Sequence, residues 1–166
     1  GQLVERFSPN NLEKPLYKTQ LLSPDKVNTI FEKADLGFKS WSNLALYRRA
    51  EIIAEVASVF EESRGRLIHA IVLDVGKPIS EADAEVSEAI DFLNYYAKCA
   101  YDFAQKSDLS YTAQGISLVT MPWNFSCAIS VGCIASSLVT GNVVLFKPAP
   151  EAELVGRIVT DLFLKA

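Results

Sequence analysis

Two polar side chains, Asn124 and Lys147, each follow a short apolar run that is typical of a buried strand. Ile116 to Thr120 precedes the first, and Asn142 to Phe146 precedes the second. An amide just before a helix can donate to an oxyanion, and an ammonium at the end of a buried strand must reach water, a carboxylate or a ligand. The residues alone leave simpler roles open, because Asn124 could cap the following helix and Lys147 could extend into solvent.

The stretch between these two residues predicts one βαβ unit. Residues 125–139 are apolar and small enough for a helix, and Gly141 suits the positive φ that often follows a helix end. A right-handed crossover places the turn 121–124 and Lys147 at the carboxyl ends of neighbouring parallel strands. Open α/β sheets bind their ligands there. Trp123, in the turn, is predicted to pack in the core.

Helical periodicity fills most of the chain before and after this unit. Residues 1–22 show no period and are predicted to be extended or loop, and Leu109 to Thr112 is strand-like. Trp41 is expected to follow the first helix, which Ser23 begins, and Ser80 resembles a capping-box residue. The predicted helices start at Ser23 and then span Ala45 to Arg64, Gly65 to Val75, Ser80 to Gln105, and Glu151 to Lys165.

The longest predicted helix has a core stripe that runs from Val86 to Ala104, and a second face that carries Glu88 and Tyr95. Aromatic residues on both sides indicate that both sides are covered. Two interpretations of Glu88 remain open at this point. It could border a cavity, or it could join Glu81 and Glu85 in a solvated acidic face.

Composition excludes several classes of function. The 166 residues suit one domain, and a net charge of -4 with 22% charged residues argues against nucleic acid or an anionic membrane as a partner. No apolar run reaches the length of about 18 residues that a membrane span needs. A single histidine and the absence of a Gly-rich phosphate loop exclude a Ser-His-Asp set and a Walker site. The cysteines (Cys99, Cys127 and Cys133) lack metal-ligand spacing, so we expect reduced thiols and a cytoplasmic protein.

The stretch from Gly115 to Leu154 resembles the aldehyde dehydrogenase superfamily, with its Pro-Trp-Asn-Phe turn, its Gly-Asn and its Lys-Pro. Residues 76–78, Gly-Lys-Pro, resemble the same superfamily. The segment Glu81 to Ala97 is similar to the corresponding helix of 1-pyrroline-5-carboxylate (glutamate-semialdehyde) dehydrogenases. The resemblance implies an incomplete α/β fold, in which amino-terminal helices (23–106) precede the first βαβ part (115–165) of a Rossmann-like NAD(P)-binding domain.

The resemblance also implies roles for individual residues in oxidising an aldehyde with NAD or NADP. Asn124 matches the oxyanion-hole amide, and Lys147 matches the lysine that binds the adenine ribose. The cofactor-contacting turn is matched by Thr120, Met121, Pro122 and Trp123, and the substrate tunnel by Glu88 and Phe125. The family's nucleophilic cysteine, general-base glutamate and phosphate-contacting turn are expected beyond Ala166. The chain is therefore expected to be an amino-terminal fragment that is inactive alone.

Three departures from the family pattern limit what the resemblance implies. Ser126 replaces a usual proline, Pro150 stands where many members have a ribose-binding glutamate, and the link between Tyr96 and Pro122 is short. The resemblance implies a homo-oligomer, but that link forms part of a subunit contact in relatives, so its shortness argues against the usual assembly. Two other interpretations stay open, namely a non-catalytic remnant or interaction module, and a dehydrogenase of other specificity, such as a succinate-semialdehyde type.

Overall fold

The computed structural model describes residues 1–166, which form four strands and six α-helices. The strands are β1 (Leu3–Ser8), β2 (Asn11–Gln20), β3 (Ile116–Val119) and β4 (Val143–Phe146). The helices are α1 (Val27–Trp41), α2 (Leu46–Glu62), α3 (Arg64–Val75), α4 (Ile79–Ala104), α5 (Ala128–Val139) and α6 (Glu153–Phe163). Single 3-10 turns at Pro24–Lys26 and Pro150–Ala152 precede α1 and α6.

The core lies where α4 packs against α2, α3 and α5. Its cluster of 26 buried residues includes the predicted stripe of α4, since Val86, Ile90 and Leu93 are buried. Ala104, the last residue predicted in that stripe, is exposed. A core of this size on a helical layer gives the βαβ unit a rigid support.

The predicted βαβ unit is present, with β3 and β4 paired in parallel and Val119 opposite Phe146. The Lys147 amide N donates to the Val119 carbonyl at 2.9 Å, so the ends of the two strands lie side by side. Gly141 has φ 90°, as predicted for a residue just after a helix. The strands are less buried than predicted, and Leu118 is 65% exposed, because no third strand pairs with this two-stranded sheet.

Residues 1–22, predicted as extended or loop, contain an antiparallel hairpin of β1 and β2. The pairing is irregular where Phe7 lies opposite Pro15, which cannot donate to the ladder. One face of β1 is half-buried to buried, but it carries Val4, Arg6 and Ser8, so this mixture of apolar and polar residues leaves no clear alternation in the sequence. Two hydrogen bonds of 2.9 and 3.1 Å from the Arg6 guanidinium to the Glu153 carboxylate attach the hairpin to α6.

Several local predictions were wrong. Trp41 is the last residue of α1 rather than a residue after it. Phe31, one of the apolar residues that recur at helical spacing in this segment, is 47% exposed. Ser80 makes no capping box, because α4 already begins at Ile79. Leu109 to Thr112 forms no strand, since no neighbouring strand is within reach, and Tyr111 is fixed instead by its hydroxyl contact with Arg49.

The helix between the two parallel strands begins three residues later than predicted, at Ala128 instead of Phe125. Residues 124–127 form a turn in its place. No helix in the structure is both long enough and apolar enough to cross a membrane, and no group of acidic, histidine or cysteine side chains could hold a metal ion.

Candidate functional site

Asn124 lies in the turn between β3 and α5, and its side-chain amide is exposed. The amide makes no hydrogen bond with the rest of the chain, and Cys127, rather than Asn124, occupies the capping position of α5. The simple capping role that the residues alone left open is therefore not the one observed. Both N–H donors of Asn124 are available to a ligand.

The amino terminus of α5 is instead capped by Glu85, which reaches across from α4. Its Oε1 accepts hydrogen bonds from the Cys127 amide at 2.7 Å and the Ala128 amide at 3.3 Å. Glu85 is only 3% exposed, and its negative charge lies at the positive end of the α5 dipole. One carboxylate thus satisfies two of the four amides that a helix leaves unpaired at this end.

Lys77 joins this carboxylate to the turn that carries Asn124. Its ammonium forms an ion pair with Glu85 Oε2 and donates to the main-chain carbonyl of Asn124 at 2.7 Å. The same ammonium lies 4.3 Å from the centroid of the Phe125 ring, a cation–π contact. The helical layer therefore holds the backbone of residues 124–128 at three points.

A cavity of about 380 Å³ opens beside this turn. Its walls are the loop 75–78, Glu81 and the turn 123–125. Three sequence-predicted site residues line this cavity, namely Trp123, Asn124 and Phe125. Trp123 is 51% exposed, so its predicted core packing was wrong, because nothing in the chain covers this side of the turn.

Lys147 lines a separate and larger crevice of about 670 Å³ at the end of β4. The crevice is mostly apolar, with Phe31 and Leu145 among its walls, and it also contains the Arg6–Glu153 ion pair. Lys147 is exposed, and its ammonium contacts only the neighbouring Pro148 carbonyl at 3.4 Å. No carboxylate neutralises it, so its charge is available at the mouth of the crevice.

The remaining turn residues connect the two sites. Thr120 follows the buried Val119 and lies next to Lys147 through the main-chain bond that closes the sheet. The Met121 sulfur lies 3.8 Å from the Cys133 sulfur on α5, while Pro122 is exposed. The turn therefore runs from the crevice of Lys147 to the cavity of Asn124.

Glu88 is exposed on α4 and lies outside both cavities. The prediction that its helix face is covered was only half correct. Phe92 packs against α5, where a β-carbon on Gly132 would come within 3.1 Å of its ring, but Tyr95 is 62% exposed. No other element of the chain covers Glu88 and Tyr95.

The amino terminus of α6, which follows β4, is capped in the same way as that of α5. Asp74 on α3 accepts hydrogen bonds from the Leu154 amide at 2.8 Å, the Val155 amide at 3.1 Å and the Tyr17 hydroxyl at 2.9 Å. Burial raises the pKa of Asp74 above its ordinary value, and burial together with the charge of Asp74 raises the pKa of Tyr17. Since carboxylates occupy both helix ends, neither end can hold the phosphates that such ends often bind.

The cysteines are poor candidates for a nucleophile. Cys127 is closest in sequence to Asn124, but burial and the nearby Glu85 charge raise the pKa of its thiol. Cys133 contacts Met121, and Cys99 lies exposed on α4, away from the turn. A thiolate at Asn124 would have to come from outside these residues, as the family resemblance implies.

Sequence reasoning missed Lys77, Glu85 and Asp74 as structural centres of the site. Glu85 was grouped with Glu81 and Glu88 in one interpretation as a solvated acidic face, and for Glu85 this was wrong. A usable signal was present, because Ala82 and Ala89, one turn on either side of Glu85, are small residues that allow close packing. A carboxylate between two such residues faces a neighbouring helix.

Comparisons with known proteins agree along the whole chain. The model of the aldehyde dehydrogenase family matches residues 1–166. The chain is 34% identical over 173 residues to 1-pyrroline-5-carboxylate dehydrogenase 2 of Halalkalibacterium halodurans, covering 98% of this chain and 34% of that protein. It is 32% identical over 162 residues to the 1-pyrroline-5-carboxylate dehydrogenase of Anoxybacillus flavithermus, covering 92% and 32%. The chain thus spans about a third of the length of these curated relatives.

Solved structures give the same result. The 1-pyrroline-5-carboxylate dehydrogenase from Thermus with bound NAD superposes with a TM-score of 0.91 at 28% identity, over 99% of this chain and 34% of that one. Proline utilization A from Bdellovibrio bacteriovorus superposes with a TM-score of 0.94 at 29% identity, over 99% of this chain and 18% of that one. The short two-stranded sheet and its helices are therefore an incomplete α/β fold of the same type.

Proposed function

Because the chain belongs to the aldehyde dehydrogenase family, we propose that it forms the amino-terminal part of an NAD(P)+-dependent enzyme that oxidises glutamate semialdehyde to glutamate in proline catabolism. The observation that carries this proposal is the free amide of Asn124, held beside the α5 terminus in a turn that leads from the crevice of Lys147. The names of the similar proteins support the choice of substrate. We also propose a cytoplasmic location.

The family resemblance gives each proposed site residue a task. Asn124 donates to the oxygen of the aldehyde when a thiolate, supplied from outside this chain, adds to the carbonyl carbon and makes that oxygen negative. The main chain of Thr120, Met121, Pro122 and Trp123 lies against the dinucleotide. Phe125 forms an apolar wall, and Glu88 attracts the ammonium group of glutamate semialdehyde.

The crevice at Lys147 fits an adenosine group. It is large and mostly apolar, and it ends in an unpaired ammonium that can donate to ribose hydroxyls. The dinucleotide, when bound, would accept a hydride, which is one proton with two electrons, from the substrate. The amino termini of α5 and α6 are occupied by carboxylates, so the turn that binds the phosphates is expected outside this chain.

Binding of NAD+ to the 166-residue chain tests the crevice directly. We expect Lys147→Ala to weaken binding in isothermal titration calorimetry while the free energy of unfolding changes by less than about 0.5 kcal/mol. Lys39→Ala, an exposed lysine at the far end of α1, is the matched control and should change neither quantity. A large loss of stability with unchanged NAD+ binding would make Lys147 a structural residue.

The reaction itself is tested by joining residues 1–166 to the remaining two thirds of the H. halodurans enzyme. We expect this chimera to form NADH from 1-pyrroline-5-carboxylate, and we expect Asn124→Ala to lower kcat. Glu88→Gln should weaken kcat/KM for glutamate semialdehyde by about tenfold or more, since a charged hydrogen bond contributes about 1.5–3 kcal/mol. Activity with propanal should change little. A folded chimera that oxidises only other aldehydes would favour a different specificity, and an inactive one would favour a non-catalytic module.

A further inference from the structure

Lys77 and Glu85 contact the main chain of the turn that carries Asn124, and this main chain sets the position of the Asn124 side chain. Lys77 bonds to the Asn124 carbonyl, and Glu85 bonds to the amides of Cys127 and Ala128. The ends of the turn are therefore fixed to the α3–α4 loop and to α4 rather than to each other. The Asn124 side chain makes no hydrogen bond within the chain that could fix it.

Lys77 is itself held firmly. Gly76 ends α3 with φ 72°, a left-handed conformation that L residues rarely adopt, and it sends the chain back toward α4. Pro78 follows Lys77 and restricts the Lys77 backbone to extended conformations. The Lys77 side chain is 12% exposed and that of Glu85 is 1% exposed, so water screens this ion pair little.

We propose that Lys77 and Glu85 are positioning residues for Asn124, and that they set the direction of its amide toward the reacting oxygen. This inference rests on the proposed function of Asn124. An oxyanion donor must lie about 2.7–3.1 Å from the developing charge, so a small shift of its backbone removes much of its effect. In this role Lys77 and Glu85 act on Asn124 through the main chain of the turn, and Lys77 also contacts the Phe125 ring.

The same two residues also stabilise the fold, so the test must separate the two roles. Lys77→Met leaves the Glu85 carboxylate buried without its cationic partner, and it should destabilise the chain. Glu85→Gln keeps one acceptor for the α5 amides but loses the ion pair, which frees Lys77 from the turn. The double variant, Lys77→Met with Glu85→Gln, has no buried charge at this place, so it should recover much of the lost stability. The Asn124 carbonyl still lacks its donor in this variant.

The first measurement follows the side-chain NH2 resonances of Asn124 in the 15N-labelled 166-residue chain. We expect them to shift or broaden in Glu85→Gln and in the double variant. Arg64→Met is the matched control, because Arg64 joins α3 to α4 through Asp83, at 2.8 Å, without touching the turn. The Asn124 resonances should not change in this control. Unchanged resonances in folded Glu85→Gln would overturn the proposal, whatever the chimera does.

The second measurement uses the chimera. We expect the double variant to lower kcat by between about tenfold and about 100-fold, with the KM for NAD+ nearly unchanged. Lys77→Arg, which can still bond to both Glu85 and the Asn124 carbonyl, should retain more activity than Lys77→Met. Recovery of wild-type kcat together with stability in the double variant would show a structural role only. An inactive wild-type chimera would contradict the proposed function, while the NMR measurement would still decide the positioning of Asn124.

Discussion

The amino termini of α5 and α6 are capped in the same way, but only the cap at α5 is linked to a proposed site residue. Each follows a parallel strand, and each is capped by a buried carboxylate from the helical layer, Glu85 for α5 and Asp74 for α6. Glu85 has a cation as its partner, Lys77, whereas Asp74 has the neutral hydroxyl of Tyr17. Only the cation extends to the turn that carries Asn124.

The cap at α6 only holds the helix in place, whereas the cap at α5 also positions the turn that carries Asn124. A neutral partner is enough at α6, because Asp74 has only to satisfy the Leu154 and Val155 amides and the Tyr17 hydroxyl. At α5, the Lys77 ammonium donates both to the Glu85 carboxylate and to the Asn124 main-chain carbonyl. A tyrosine hydroxyl has a single hydrogen and could not donate to both groups. The ion pair also creates a greater risk, because the loss of either partner leaves a charge buried alone.

The largest effect is expected from Glu85→Ala. The substitution leaves the Lys77 ammonium buried and two α5 amides unpaired, so the free energy of unfolding should fall by about 3–5 kcal/mol. Urea unfolding followed by circular dichroism measures this change. Asp91→Ala, an exposed carboxylate on the same helix, should change it by less than about 0.5 kcal/mol. Equal effects of the two substitutions would contradict the capping role of Glu85.

Asp74→Ala should be the less damaging of the two cap deletions, at about 1–3 kcal/mol. It leaves polar groups unpaired, but it strands no charge, and the Tyr17 hydroxyl still accepts from the Leu154 amide at 3.2 Å. The same urea titration measures it. If Asp74→Ala costs as much as Glu85→Ala, then the stranded ammonium is not the reason for the importance of Glu85.

The sequence predicted the regular elements around these two helix termini, but it did not predict the caps themselves. Helices α2, α3 and α4 were predicted to within a few residues, because an apolar stripe recurs along each of them. The parallel pairing of β3 and β4 followed from the crossover rule. The two caps were missed, since each joins residues far apart in the chain through a single side chain, which leaves no periodic trace.

Predictions from local sequence were wrong where contacts between distant residues determine the structure. The helix predicted from Phe125 begins later because its first residues are held in a turn by Lys77 and Glu85. Glu85 looked like part of a surface run, although the alanines beside it allow close packing against α5. The proposed roles of Asn124, Lys147 and Glu88 came from family resemblance, because their spacing alone fitted simpler roles equally well.

The pH dependence of stability offers a further way to distinguish the caps. Burial raises the pKa of Asp74, so the folded protein holds this proton more tightly than the unfolded chain, whose value is about 3.9. The free energy of unfolding should therefore fall as pH rises from about 4 through the raised value, and then level off. Asp74→Asn should remove this fall in urea titrations across that range.

Tyr17→Phe sharpens the pH experiment. The Tyr17 hydroxyl donates to the ionised carboxylate and so lowers the pKa of Asp74. Its removal should raise the folded-state pKa of Asp74 further and so extend the upper end of the falling region to higher pH, in addition to a loss of about 1 kcal/mol for the hydrogen bond. Parallel curves for wild type and Asp74→Asn would show that the protonation of Asp74 does not contribute to stability.

The smallest effect concerns a defect that the α5 terminus has and the α6 terminus lacks. Ser126 is 3% exposed, and its hydroxyl has no hydrogen-bond partner. Burying a hydroxyl without a partner costs about 1–3 kcal/mol, part of which an apolar residue of similar shape recovers. Ser126→Ala should therefore raise the free energy of unfolding by up to about 1 kcal/mol, as measured by urea titration.

Ser87→Ala is the matched control for this prediction, because the Ser87 hydroxyl is satisfied. It accepts from Arg64 at 2.7 Å and donates to the Asp83 carbonyl at 3.2 Å, so its removal should lower stability by about 1 kcal/mol. The two serine substitutions should therefore have opposite signs. If Ser126→Ala also lowers stability, its hydroxyl has a partner in solution, and the α5 terminus is as fully satisfied as that of α6.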